Sequence, residues 1–327
     1  MKAIHFDRLG GPEVMYLTEA PVPDLRPSTV LVRNCAIAVN FADTFFTRGE
    51  YIVRPVFPDT PGMEAAGVVE AVAPDVTDFR PGMRVAYIGM GAYADYTLIR
   101  RSRVIPLPDF MDFEQGAALP IAMLTAWHML RTLHDARAGE TVLVHSAAGA
   151  VGIAAVQIAK AYGARVIGTV SNAEKAGFAR QHGADETIDY ATRDFAAETM
   201  RLTGNRGVDL ILDAVGAPTF AAGIGCLAPF GHLILYGRAG GAPGPIDPMR
   251  LFERSLSVSG FVLPQIYNNH AVMRRGLDDC FRLIREGKLT VPIGGRFALA
   301  DAAAAHRFIL DRRSVGKLML TPQGRAD

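Results

Sequence analysis

Residues 141–170 read Thr-Val-Leu-Val-His-Ser-Ala-Ala-Gly-Ala, then Val-Gly-Ile-Ala-Ala-Val-Gln-Ile-Ala-Lys, then Ala-Tyr-Gly-Ala-Arg-Val-Ile-Gly-Thr-Val. The β-branched opening predicts a strand over 141–146, buried on both faces as in a parallel sheet. Ala147, Gly149 and Gly152 then fall at the spacing of G-x-G-x-x-G, with Ala in the first slot. From Ala150 to Tyr162 only Gln157 and Lys160 are strongly polar, and Gly163 stands where a helix would end. Residues 164–169 read as a strand again. Strand, glycine turn, helix and strand within about 30 residues form the context of a dinucleotide-binding turn. There Gly149 would let the backbone approach a pyrophosphate, and Gly152 would let the helix lie close to the strand. Ala148, Ala150 and Val151 complete the turn, and the helix N-terminus offers N–H groups to phosphate.

The residues after the second strand choose between nucleotides. An NAD site carries Asp or Glu there to hold the ribose 2′-hydroxyl. This chain continues Ser171-Asn172-Ala173-Glu174-Lys175 with no acid at the strand tip. Ser171 and Lys175, with Tyr190 from the following strand, would hold a 2′-phosphate instead, so the expected cofactor is NADPH. The plainer alternative is that Ser171 and Glu174 form a capping box and Lys175 is a solvated charge.

At 327 residues, length favours about two domains. A net charge of +1 supplies no field for nucleic acid or an anionic membrane. No charged-then-apolar leader opens the sequence, and no uncharged apolar run reaches about 18 residues. Cys35, Cys226 and Cys280 lie far apart and form no C-x-x-C. These features predict a cytoplasmic protein without membrane or nucleic-acid partners.

Residues 1–100 alternate short apolar runs with Gly and Pro turns. Strands are expected at Lys2–Phe6, Val14–Glu19, Thr29–Val39, Ala66–Val72, Arg84–Tyr87 and Asp95–Leu98, as a barrel or sandwich. Helical character begins within Leu107–Leu133, with Pro120 as the expected start of a helix carrying Thr125. From Thr141 six strands alternate with helices, the rhythm of a doubly wound parallel sheet. Residues 270–286 predict an amphipathic helix with Met273, Leu277, Cys280, Phe281 and Ile284 on its apolar stripe. His145 reads as a satisfied residue at a strand end.

Several stretches together carry a resemblance: Asn40-Phe41-Ala42-Asp43-Thr44, Pro61-Gly62-Met63-Glu64-Ala65-Ala66-Gly67, Ala147-Ala148-Gly149-Ala150-Val151-Gly152, Asp213-Ala214-Val215-Gly216 and Val315-Gly316-Lys317. The chain resembles the medium-chain dehydrogenase/reductase superfamily, and within it the zinc-free quinone oxidoreductases (zeta-crystallin-like). The resemblance implies a β-rich, GroES-like catalytic domain over 1–122 and 264–327, and a Rossmann domain over 123–263. It also implies a homodimer, paired through the edge strand near Ser257–Val262. Zinc-dependent relatives place a Cys three residues before an Asp and a His just before a Glu; here those positions hold Asn40 and Met63. With two ligand positions replaced, no catalytic zinc is expected.

Without a Lewis acid, charge on a hydride acceptor must be met by hydrogen-bond donors. Asn40 and Tyr51 are the candidate catalytic donors, while Phe45 stands where relatives often carry a tyrosine. Asp43 and Glu64 read as scaffold, held through Arg or backbone N–H groups. Thr125, Val215, Gly216, Tyr236, Gly237, Lys317 and Asn40 itself are candidate cofactor contacts. The leading expectation is an NADPH-dependent quinone reductase. The alternatives are an enoyl-thioester or alkenal double-bond reductase with Tyr51 as proton donor, or a non-catalytic NADPH-binding protein.

Overall fold

The computed structural model describes residues 1–322 and divides into two compact units, 1–121 with 291–322 and 122–290. The first unit opens with a two-stranded ribbon, β1 (Lys2–His5) and β2 (Tyr16–Glu19). Its main sheet begins with β3 (Thr29–Val39), followed by helix α1 (Phe41–Thr47) and strands β4 (Glu64–Val72), β5 (Arg84–Ile88), β6 (Tyr96–Arg100) and β7 (Val104–Pro106). Helix α2 (Phe113–Ala118) follows, capped by Asp112, whose carboxylate accepts the Gln115 N–H at 2.7 Å. Helical backbone therefore starts well before Pro120, which lies inside a wider helical turn, Leu119–Met123. The cap outweighs the proline as the start signal because it satisfies first-turn N–H groups that proline leaves bare.

The second unit runs α3 (Leu124–His128), β8 (Thr141–Val144), α4 (Ala150–Ala161), β9 (Arg165–Val170), α5 (Ala173–Gln181), β10 (Glu186–Asp189) and α6 (Phe195–Leu202). It continues with β11 (Val208–Asp213), α7 (Phe220–Gly225), β12 (Leu227–Leu235), α8 (Pro248–Phe252), β13 (Ser257–Gly260) and α9 (His270–Arg285). All six strands are parallel in the order β10-β9-β8-β11-β12-β13, so the sheet reverses direction between β8 and β11. Leu143, Ile167, Ile211 and Leu233 form its core, each fully buried, as expected where helices cover both faces.

Residues 264–290 belong to this unit, where the sequence had placed them with the first. Asp279 on α9 accepts from the indole N–H of Trp127 on α3 at 2.6 Å and from the hydroxyl of Tyr162 at the end of α4. The buried residues of α9 are Gly276, Cys280 and Leu283; of the expected stripe only Cys280 is buried, and Met273, Leu277, Phe281 and Ile284 are half-buried. A Cβ on Gly276 would lie 2.9 Å from His128 Nε2, so the missing side chain is what lets the helices approach.

The chain then returns to the first unit as β14 (Ile293–Ala298), α10 (Ala302–Leu310) and β15 (Lys317–Thr321). β15 pairs antiparallel with β3, and β14 parallel with β15, giving the order β14-β15-β3-β4-β5-β7 with β6 also on β3. Val32, Ile37, Val69, Tyr87 and Leu318 fill the core under this sheet. Thr29–Val39 was read from the sequence with these bounds; α1, β7 and β14 were not foreseen.

Candidate active site

In the first unit, three neighbouring strands bring three polar side chains together. Asn40 ends β3 and caps α1, and the pairing of Leu318 with Val39 sets Lys317 of β15 beside it. Glu64 opens β4 on the other flank of β3. Lys317 Nζ donates to Asn40 Oδ1 at 2.7 Å and to Glu64 Oε1 at 2.5 Å. Asn40 Nδ2 donates to the same Glu64 oxygen at 3.0 Å, while Glu64 Oε2 accepts the Ile121 N–H at 2.7 Å. Lys317 is 1% exposed, Glu64 0% and Asn40 8%. Lys317 is therefore no surface lysine. Glu64 is held by lysine, amide and backbone rather than by arginine.

Asp43, in the first turn of α1, accepts the Asn40 backbone N–H at 2.7 Å and the Tyr93 hydroxyl at 2.9 Å. The Tyr93 hydroxyl lies 3.0 Å from His306 Nε2, and Asp43 Oδ1 and His306 Nδ1 have no partner among the described residues. Burial, only partly offset by these bonds and by Lys317, pushes the Asp43 carboxyl up to about 7. Tyr51 packs on Phe6, Val14, Phe46 and Met63. Burial and the neighbouring Asp43 raise its phenol above the usual range, so it keeps its proton. Phe45 meets Phe41 edge-on at 5.3 Å, with Arg48 over its ring. Among the described residues, no group of three or more His, Cys, Asp or Glu could hold a metal ion.

In the second unit, the carboxyl ends of β8, β9, β10, β11 and β12 lie on one side of the parallel sheet. After β8 the chain turns through Ser146, whose φ is +56°, into α4. Gly149 caps α4 in extended backbone, and the first turn holds no acidic side chain. A Cβ on Gly152 would meet Ser146 O at 2.3 Å, whereas one on Gly149 would touch only Ser146 O at 3.4 Å. Packing within the chain thus demands the second glycine and not the first. Ala148 is buried, while Gly149, Ala150 and Val151 are half-buried.

The register Asp189↔Val170 brings Tyr190 and Ser171 to adjacent strand tips. Lys175 sits in the first turn of α5, whose cap is Asn172 and not Ser171: Asn172 Oδ1 accepts the Lys175 N–H at 2.8 Å. The asparagine takes the role because its carbonyl reaches the third helical N–H from one residue later. Ser171 is thereby released from the capping box.

The turns after β11 and β12 are shaped by a residue that sequence reasoning missed. Asp213 is fully buried and accepts the Val215 and Gly216 N–H groups at 2.7 and 3.1 Å, and the Thr219 hydroxyl at 2.9 Å. Gly216 has φ +87°, and a Cβ on Gly237 would lie 2.6 Å from Ala214 O, so the two turns touch backbone to backbone. Tyr236 between them is half-buried, and burial and Asp213 hold its phenol neutral. His145 is satisfied on one nitrogen only: Nδ1 lies 3.0 Å from the Thr169 hydroxyl, and Nε2 is buried without a partner among the described residues. Thr125 is buried in α3.

Residues 26–109 match the model of an alcohol dehydrogenase GroES-like domain, and residues 150–305 that of a zinc-binding dehydrogenase. A quinone oxidoreductase from Pseudomonas aeruginosa is 40% identical, over 98% of this chain and 99% of its own length. A 2-haloacrylate reductase from a Burkholderia species is 37% identical, over 96% and 97%. The crystal structure of Escherichia coli quinone oxidoreductase complexed with NADPH superposes with a TM-score of 0.94 at 33% identity, covering 98% of this chain and all of that one. By sequence and by fold, the chain belongs to the quinone oxidoreductase family of the medium-chain dehydrogenases/reductases.

Proposed function

We propose that the chain is an NADPH-dependent quinone oxidoreductase that works without a metal. The observation that carries this is the Asn40 carboxamide, fixed by Lys317 and Glu64 at a position where zinc-dependent relatives have a ligand. A quinone oxidoreductase with 40% identity over nearly the full length supports the choice of acceptor. The second unit fits the cofactor. Gly149 leaves open the approach to the α4 N-terminus, where the Ala150, Val151 and Gly152 N–H groups have no intrahelical acceptor. Ser171, Lys175 and Tyr190 offer donors at neighbouring tips for a 2′-phosphate, and β9 itself ends without the acid that would hold a free 2′-hydroxyl. Ala148 lies in the phosphate turn; Thr125, Val215, Gly216, Tyr236 and Gly237 are assigned to the nicotinamide and its ribose.

NADPH supplies the hydride; one hydride and one proton turn quinone into quinol. The second Nδ2–H of Asn40 donates to the carbonyl oxygen on which negative charge develops, a stabilisation worth about 10²–10³ in rate per donor. Tyr51, which keeps its proton, is the second donor and a proton source. In the same reading the chain is a cytoplasmic homodimer. β13 is an edge strand with one side open to pairing, and sedimentation should give twice the 35.2 kDa of one chain.

Following NADPH oxidation with 1,4-benzoquinone, 9,10-phenanthrenequinone and crotonyl-CoA in parallel tests the acceptor. The expected result is turnover with both quinones and little with the thioester. The Tyr51 hydroxyl, bonded to no described residue, and the 2-haloacrylate reductase relative favour a second reading, double-bond reduction. Crotonyl-CoA turnover that disappears in Tyr51→Phe, without quinone turnover, would establish it. Fluorescence titration should show NADPH bound at least about tenfold more tightly than NADH, the worth of one charged hydrogen bond. Equal affinities would remove Ser171, Lys175 and Tyr190 from the phosphate site.

A further inference from the structure

The Lys317–Glu64 pair is a buried ion pair that the reaction above does not use. Such pairs are poor stabilisers, since desolvation offsets most of the attraction, so its place matters more than its strength. Both members bond to one carboxamide. Lys317 Nζ meets Asn40 Oδ1 at 2.7 Å, and Glu64 Oε1 takes one Nδ2–H at 3.0 Å. The amide has one orientation only, because turning it over would set Nδ2 against the lysine, donor to donor. Of its two N–H groups one is held by Glu64, and the other has no partner among the described residues. A cation at the carbonyl end draws electron density through the amide and makes the remaining N–H a stronger donor, as in any polarised hydrogen-bond chain.

We propose that Lys317 and Glu64 are positioning residues that aim and polarise this Nδ2–H through the Asn40 amide. The proposal rests on the reading of Asn40 as the donor to the acceptor carbonyl. It departs from an assignment of Lys317 to the cofactor itself, since two of the lysine's three N–H bonds already go to Asn40 and Glu64.

The paired variant Lys317→Met with Glu64→Gln removes both charges together and avoids leaving one buried alone. Lys317→Arg, which keeps the charge, is the second probe and stands in if the pair does not fold. In ligand-free protein labelled with ¹⁵N-asparagine there are six asparagines to resolve. One side-chain pair, assigned by its loss in Asn40→Ala, should lie away from the solvent-exposed position and move to it in the paired variant. With 1,4-benzoquinone the paired variant should lose about 10–100-fold in kcat, the usual effect of residues that orient a contact group. Its NADPH affinity by fluorescence should stay within about threefold, and the isotope effect with 4-deuterated NADPH should rise. Adding Asn40→Ala to the paired variant should cost less than it costs in the unaltered protein, and Lys317→Arg should retain most of the rate. An Asn40 amide already at the solvent-exposed position in the unaltered protein would overturn the proposal. So would NADPH affinity falling in step with kcat, or additive losses with Asn40→Ala. Absence of quinone turnover in the unaltered protein would defeat the functional reading instead, leaving the labelled spectra to decide the positioning.

Discussion

Two glycines three residues apart differ in what requires them, and that difference is testable at the scale of one methyl group. Gly152 is fixed by the fold: an added Cβ would sit 2.3 Å from Ser146 O and 2.8 Å from Ala147 Cα, both backbone. Gly152→Ala should therefore destabilise the second unit by about 1–3 kcal/mol, the range for overpacking, seen as a lower melting temperature. Gly149 has φ −79° and an ordinary 3.4 Å contact for the same atom, so the fold tolerates alanine there. Gly149→Ala should melt within about 0.5 kcal/mol of the unaltered protein yet lose NADPH affinity tenfold or more, about 1.4 kcal/mol. If it binds NADPH normally, the turn after β8 is not the phosphate site. The packing role of Gly152 was legible in the sequence, because a strand–turn–helix pattern dictates where a Cβ would fall. The environment of Lys317 was not: its burial depends on the register of β15 against β3, a pairing across most of the chain.

At the scale of elements, the turn from β11 to α7 is built on one carboxylate. Asp213 accepts two backbone N–H groups and the Thr219 hydroxyl while itself fully buried. Asp213→Ala would strand those donors at about 1–3 kcal/mol for each group left without a partner. We expect stability to fall by about 3 kcal/mol and NADPH affinity to fall with it; unchanged melting would mean water replaces the carboxylate without loss. Sequence reading named Val215 and Gly216 but passed over Asp213, because an acid ending a strand carries no pattern showing that it turns back on its own loop. Helix α1 was missed for a related reason. Asn40 and Asp43 had the spacing of an N-cap and its third residue, but the same spacing was read as that of a lost metal ligand and its carboxylate. The six parallel strands, by contrast, were legible to within about four residues at each end, since continuous apolar runs between helices admit few other arrangements. The boundary near residue 290 was not, because the contacts that hold α9 to α3 run through a glycine and a carboxylate, which hydrophobic periodicity does not register.

For the molecule as a whole, buried titratable groups predict that the two units respond differently to acid. In the second unit, burial pushes His128, His145 and His232 down to about 4 from an ordinary 6.5. Between those values the unfolded chain binds protons that the folded unit refuses. Their contribution to stability is therefore complete above pH 6.5 and is lost as pH falls toward 4. In the first unit, His306 is pushed down to about 3 and acts with the same sign. Asp43, raised from 3.8 to about 7, acts with the opposite sign: between those values the folded unit holds a proton that the unfolded chain has released, so acidification stabilises it. The two groups offset each other across the shared window, while the three histidines of the second unit add. Hydrogen exchange followed from pH 7 down to pH 4.5, corrected for intrinsic rates, should thus show protection lost earlier in β8, β11 and β12 than in β3 and β15. Asp43→Asn isolates the cause, since an amide has nearly the shape of the protonated carboxyl and cannot titrate. In that variant His306 acts unopposed, and β3 and β15 should lose protection on acidification as the second unit does. Equal acid sensitivity of both units in the unaltered protein, or no change in Asp43→Asn, would show that Asp43 does not hold its proton at neutral pH.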